Sequence, residues 1–116
     1  MSITIKRIYE DYDKADGYRM LVDRLWPRGI KKEAAKLDEW NKGIAPSPEL
    51  RKWFDHQEEK FKEFSKKYKE ELLQNNKAEI KRIRDIAKKE KLTLLYGAKD
   101  PKINHAVVLL DVINSK

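Results

Sequence analysis

The chain has no cysteine. Disulfides, thiolate catalysis and thiolate metal sites are therefore excluded. Two histidines are too few for an ordinary metal centre, and no metal site is expected. Nothing approaches the roughly 18 consecutive apolar residues of a membrane span. The opening stretch MSITIKRIYE lacks the basic region and long apolar core of a secretion signal, so a cytoplasmic protein is the expectation. There is no G-x-S-x-G elbow, no G-x-x-x-x-G-K-[ST] phosphate loop and no G-x-G-x-x-G fingerprint, and so no cofactor is implied. The serines (Ser2, Ser47, Ser65 and Ser115) lie at termini, at a helix cap and on a helix, and none neighbours a base in sequence.

What is present begins with charge. Twenty-seven basic residues against 20 acidic ones leave a net charge of +7 over 116 residues, a length that suits one domain, 1–116. A basic balance suits polyanionic partners. The acids are interleaved with the lysines, however, as on an ordinary solvated helix surface. Lysine outnumbers arginine 20 to 7. In a chain that uses lysine wherever a plain positive charge suffices, the remaining arginines are informative, because lysine cannot replace a planar fork that grips a carboxylate or phosphate. Three of them, Arg19, Arg24 and Arg28, fall within ten positions, in or beside LVDRLWPRGI (residues 21–30).

Residues 2–9 alternate apolar and polar, which predicts a strand with one buried face. The acidic stretch 10–17 predicts a turn or loop, and 18–25 a second strand. The intervening loop is short for a parallel crossover, so a hairpin is equally open. Pro27 and Gly29 end that strand. Residues 31–36 suit a short helix, and 37–46 are ambiguous between a helical face and an irregular stretch. Ser47-Pro48-Glu49 is a helix start, with the helix running to about His56. Asp55-x-x-Glu58 reads as a capping box for the next helix, which places Phe61, Phe64, Tyr68 and Leu72 on one stripe. Asn75-Asn76 breaks it. A further helix runs to about Glu90 with Ile80, Ile83, Ile86 and Ala87 inward. The uninterrupted run at 92–98 marks a central strand. Asp100-Pro101 predicts another helix start, with Ile103, Val107, Leu110 and Ile113 on the inner face. The fold class is α/β, a small Rossmann-like, mostly parallel sheet of three to four strands flanked by helices.

Ligands in open α/β sheets settle at the carboxyl ends of strands. Two such ends are visible, 23–29 and 96–100, the second followed by Asn104 and His105. If the strands are parallel neighbours, both face one crevice. Arg24 and Arg28 would clamp an anion, helped by a helix N-terminus. Trp26 and Tyr96 offer flat faces, and His105 can move a proton near neutral pH. Plain structural readings stand beside these. Asp23 and Arg24 suit ion pairs at a sheet end, Trp26, Trp40 and Trp53 suit core packing, and Asp100 suits a cap. His105 suits a buried histidine bonded to backbone, Arg51 a surface charge and His56 a structural role at a helix junction.

The strings D-G-Y-R-x-L-V-D-R-L-W-P-R-G-I, L-D-E-W, A-P-S-x-E-L-R-K-W-F, T-L-L-Y-x-A-K-D and N-x-A-V-V-L resemble the YeaO-like family of small bacterial proteins, a domain-of-unknown-function family. The likeness runs from about Ile5 to Leu110. A broader set of related domains is similar more loosely, with an apolar strand ending in D-x-R-x-x-P-R and a late strand followed by E/K-D-P-x-x-C-H-R. That resemblance implies a Rossmann-like parallel arrangement with Arg24, Pro27 and Arg28 close to the Lys99–His105 segment. Asn104 stands where that pattern has cysteine, His105 matches its histidine, and Ala106 replaces its arginine. Cysteine chemistry of that kind has no place here, and Arg24, Arg28, Lys99 and His105 survive.

The expectation is an anion-binding crevice for a phosphate- or carboxylate-bearing small molecule or nucleotide. Arg24, Trp26, Arg28, Tyr96, Lys99 and Asn104 would contact the ligand, and His105 would be the one candidate catalytic group. Whether a reaction follows is open, since no nucleophile accompanies His105. The alternatives are a nucleic-acid-binding module using the Lys-rich helices at 58–91, or a homodimeric interaction protein with a Trp-rich interface. The chain would be a monomer or a homodimer.

Overall fold

A computed structural model describes residues 2–115. Four strands, β1 (Ile3–Arg7), β2 (Tyr18–Leu21), β3 (Glu39–Trp40) and β4 (Leu92–Tyr96), form one sheet in the order β1-β4-β2-β3. Every pairing is parallel. Five helices flank it: α1 (Lys32–Ala35), α2 (Pro48–Phe54), α3 (Phe61–Asn75), α4 (Lys77–Lys89) and α5 (His105–Asn114). The α/β class and the small parallel sheet are as the sequence predicts.

All five residues of β4 are buried, as a central strand requires. Leu92, Leu94 and Tyr96 face the larger core with Met20 and Val22, against apolar side chains of α2, α3, α4 and α5. Leu95 and Leu21 face a smaller cluster with Ile8 and Ala35, covered by Trp26, Ile30, Leu37 and Trp40. One face of the sheet thus carries four helices, and the other is closed by α1 and the irregular stretch around it.

The sequence leaves the β1–β2 connection open between hairpin and crossover. The structure makes it a crossover, because β4 lies between the two strands. One 3-10 turn, Lys14–Asp16, fills the gap and is closed by a reciprocal capping box from Asp13. Gly17 (φ 68°) then passes so close to β4 that a Cβ would stand 2.3 Å from the Lys91 carbonyl oxygen. Only glycine fits that crossing.

Several boundaries differ from the sequence reading. β2 ends at Leu21 rather than at residue 25. Val22 N–H still reaches the Leu95 carbonyl at 3.0 Å, but beyond it the Gly97 N–H is taken by the Asp23 carboxylate (2.8 Å) instead of by main chain. Asp55 does not cap the next helix; it is the C-cap of α2, it and His56 adopt left-handed conformations (φ 47° and 55°), and Gln57 precedes the 3-10 turn leading into α3. α5 starts at His105 with Asn104 as its cap. Asp100 instead receives the N–H groups of Lys102 and Ile103 in the preceding turn (2.8 and 3.1 Å). The inner face of α5 is Ala106, Val108, Leu109, Val112 and Ile113, one step off the expected stripe. The ambiguous stretch 37–46 contains β3 and a 3-10 turn.

Arg19 is 1% exposed and structural. Its guanidinium pairs with Asp16 and donates to the Ala35 carbonyl (2.9 Å), and Lys6 holds the same carboxylate at 3.0 Å. Burial opposes the Asp16 charge, yet the bonds from Lys6, the Asp13 N–H and Arg19 hold its carboxyl below the usual range. Removing one partner of a buried pair strands the other, at about 3–5 kcal/mol. With Lys6 still present, Arg19→Met is expected to lose about 3 kcal/mol in urea unfolding at neutral pH. Adding Asp16→Asn should recover part of that loss. An unchanged unfolding midpoint in the single variant would show the pair to be idle.

Candidate functional site

Where β2 and β4 stop, the chain leaves a cavity of about 240 Å³. Its floor is Asp23 and His105. One wall carries Arg24, Arg51 and His56, with Phe54 and Phe64 behind them, and the rim is Tyr9, Leu25, Trp26 and Pro27. Gly97, Ala98 and Asn104 close the side nearest α5. The parallel sheet brings these together: the ends of adjacent strands point the same way, and α5 begins beside them.

Asp23 is the sole acid of this lining. Its Oδ2 accepts from Gly97 N–H at 2.8 Å, which binds the end of β2 to the end of β4. Its Oδ1 is buried without a hydrogen-bond partner and lies 3.3 Å from His105 Nε2. Nε2 is also 3.0 Å from the Val22 carbonyl oxygen. A carbonyl only accepts, so Nε2 carries the proton in either charge state. Burial pushes the Asp23 carboxyl up, against His105, the Gly97 N–H, His56 and Arg51. Burial likewise pushes His105 down, against the pull of Asp23 and the Val22 carbonyl. The imidazole is therefore neutral at neutral pH, with Nδ1 unprotonated.

Arg24 is partly buried and no carboxylate pairs with it among the described residues. Nε and Nη2 donate to the Pro46 carbonyl (3.3 and 3.1 Å), and Nη2 also reaches Ala45 (3.4 Å). Arg51 and His56 make no side-chain hydrogen bond or ion pair among the described residues, and both act on Asp23 through space. Asn104 is committed to backbone: Oδ1 accepts from Val107 N–H (3.1 Å) and Nδ2 donates to the Asp100 carbonyl (2.8 Å). No serine, threonine or cysteine lines the cavity. Among the described residues, no group of three metal-ligating side chains could hold an ion.

The structure gathers Arg24, Trp26, Asn104 and His105 from the expected set, and separates the others. Arg28 points outward, exposed, and only its carbonyl is engaged, by the Tyr9 hydroxyl at 2.9 Å. The turn at Pro27-Arg28-Gly29 carries it past the cavity. Tyr96 is 2% exposed in the larger core, since period-two alternation turns it under the sheet rather than into the opening. Lys99 lies on an adjoining groove with Glu58 and Asp100, which shares His56, Gly97 and Ala98 with the cavity. Trp26 does two jobs: it packs edge-on against Trp40 (centroids 5.2 Å apart) with its indole N–H on the Ile30 carbonyl (2.7 Å), and it also lines the rim. The residues that sequence reasoning set aside are Asp23, Arg51 and His56. The lysine bias carried a signal for Arg51, an arginine kept within A-P-S-x-E-L-R-K-W-F.

The basic helices present fewer free cations than their composition suggests. Arg82 is held by Glu39 and Glu79, and Arg84 donates to the carbonyls of Val112, Ile113 and Ser115. Lys69 pairs with Asp111 at 2.8 Å. Among the described residues no helix is long and apolar enough to cross a membrane.

A family model described as "Inactive DUF488-N3 subclade" matches residues 2–116. The uncharacterized protein YeaO of Escherichia coli is 53% identical over 115 residues, 99% of this chain and 99% of that protein. An uncharacterized protein of Mycobacterium tuberculosis strain H37Rv is 39% identical over 114 residues, 98% of this chain and 95% of that protein. A protein of Mycobacterium bovis is similar to the same extent. No solved structure matches the chain.

The buried histidine fixes a pH dependence. Unfolded, His105 titrates near its ordinary 6.5; folded, its value is lowered, so the unfolded chain binds more protons and stability falls as pH falls through that range. The raised Asp23 acts in the opposite sense, its contribution present at low pH and lost as pH rises through its folded value. Comparison with His105→Gln, which keeps a donor for Val22, isolates the histidine. From about pH 7.5 to about 5.5, the thermal midpoint of the unaltered protein should drop more steeply than that of the variant. Parallel curves would contradict a neutral buried His105.

Proposed function

The chain belongs to the DUF488-N3 family, in the subclade described as inactive, and on that premise we propose that it binds a small anion without turning it over. One observation carries the reading. Two guanidiniums and an imidazole face a cavity whose only acid, Asp23, is already occupied by Gly97 and His105. Arg19 is matched to Asp16, Arg82 to Glu39 and Glu79, and Arg84 to helix-end carbonyls. In the cavity Arg24 is matched to carbonyls and Arg51 to no acid among the described residues, and a bound phosphate or carboxylate supplies a counter-charge to both. Arg24 and Arg51 hold the anion, and the Asp23–His105 pair sets the floor beneath it.

The lining also argues against turnover. It offers no hydroxyl or thiol nucleophile, apart from the Tyr9 phenol, which is bonded to the Arg28 carbonyl. Asn104, where the broader pattern has cysteine, caps α5.

A charge-assisted hydrogen bond contributes about 1.5–3 kcal/mol. Loss of one guanidinium should therefore weaken anion binding about tenfold or more. Titration calorimetry with acetate, benzoate, inorganic phosphate and AMP should find binding by at least one of them. That affinity should fall in Arg24→Ala and in Arg51→Ala and persist in Arg28→Ala. Arg51 is exposed and removes no packing, so its variant folds normally. Failure of all four anions, or equal affinity in all three variants, would end the proposal.

A further inference from the structure

Deepening that anion-binding reading, on which it rests, we infer that the cavity takes a small monoanion with a flat apolar body, of the chemical class of aromatic carboxylates, rather than a phosphate ester or nucleotide.

Size is the first constraint. About 240 Å³ is the room of about eight water molecules and lies below the range of about 300–1,000 Å³ typical of drug-sized ligands. A ring with one carboxylate fits within it. Charge is the second. Asp23 is an acid inside the cavity, so a dianionic phosphate would crowd three negative charges against two guanidiniums. Two of the backbone donors nearest the floor are already engaged, Gly97 N–H by Asp23 and Val107 N–H by Asn104. What remains is the guanidinium of Arg51, unpaired among the described residues, a planar fork that suits the two oxygens of a carboxylate, with the Nη1 of Arg24 beside it.

The walls supply the third constraint. Phe54 stacks on Phe64 behind the cations, with centroids 4.2 Å apart. At the mouth, Trp26 and Pro27 stand beside Leu25 and Tyr9, which are 58% and 42% exposed. Only four large apolar side chains are exposed among the described residues, and two of them are on this rim. A polar ligand leaves them in water. A flat apolar body covers Leu25 and Tyr9 while its anionic end lies against Arg24 and Arg51.

Calorimetric titration with benzoate, acetate, inorganic phosphate, AMP and the uncharged benzamide separates the outcomes. Benzoate should bind at least about tenfold more tightly than any of the others. Its affinity should fall about tenfold in Arg51→Ala and about threefold in Leu25→Ala, while acetate binding is unaffected by Leu25→Ala. Leu25 is exposed, so its truncation does not unfold the protein. Phosphate or AMP binding as tightly as benzoate overturns the inference and leaves the anion reading intact. Acetate equal to benzoate does the same, by showing that the rim is idle. Benzamide equal to benzoate overturns both readings, as does failure of every anion.

Discussion

The Asp23 carboxylate holds the functional end of this fold together. It sits at the close of β2, takes the Gly97 N–H at the close of β4, and faces the first residue of α5 through His105. Three elements that share no covalent neighbour are fixed by one side chain. A main-chain carbonyl at that point would have extended the ladder and zipped β2 to β4 for another pair. A side-chain acceptor stops the ladder instead, and the separating strands leave the cavity between them. The arrangement carries an energetic penalty, since one carboxylate oxygen is buried with only a 3.3 Å approach from the imidazole. Unsatisfied buried groups of this kind are retained where a site needs them.

The same residue explains the electrostatics around it. A buried acid and a buried base push each other's pKa values in compensating directions, while desolvation works against both charges. Arg24 is held by the carbonyls of Ala45 and Pro46, and Arg51 acts on Asp23 only through space. Elsewhere the protein settles its arginines with acids or with helix-end carbonyls, as at Arg19, Arg82 and Arg84.

Much of this was legible in the sequence because it rests on local chemistry. The LTLLY run could only be a central strand. Ser47-Pro48 opens α2 as read, with the hydroxyl on Leu50 N–H at 3.2 Å. The arginine argument found Arg24. It failed at Arg28 because the turn after Pro27 decides the direction of that side chain, and spacing along a chain does not encode direction. It failed at Tyr96 because period two puts alternate residues under the sheet. Arg19 is a fork on a carboxylate as the argument expects, but its partner is the protein's own Asp16 and its burial is not visible in sequence. Asp100 and Asn104 are both good caps; only packing of Ala106, Leu109 and Ile113 against the sheet selects the later start. Arg51 and His56 were set aside because a helix end more than 20 residues away in sequence shows no sign of facing Asp23.

Asn104 caps α5 beside a cavity whose lining has no serine, threonine or cysteine. Its amide completes the first turn of α5 through Val107 N–H and ties that turn to the Asp100 carbonyl. A thiol at this position accepts a hydrogen bond only weakly, so a cysteine would leave the start of α5 less firmly capped, by about 1 kcal/mol. His105 follows directly, and its ring reaches Asp23 and Val22 only if that first turn is held in place. The amide therefore stabilises the floor of the cavity at the position where the broader pattern has cysteine. With Asn104 at this position the start of α5 is firmly capped and the cavity lining holds no thiol.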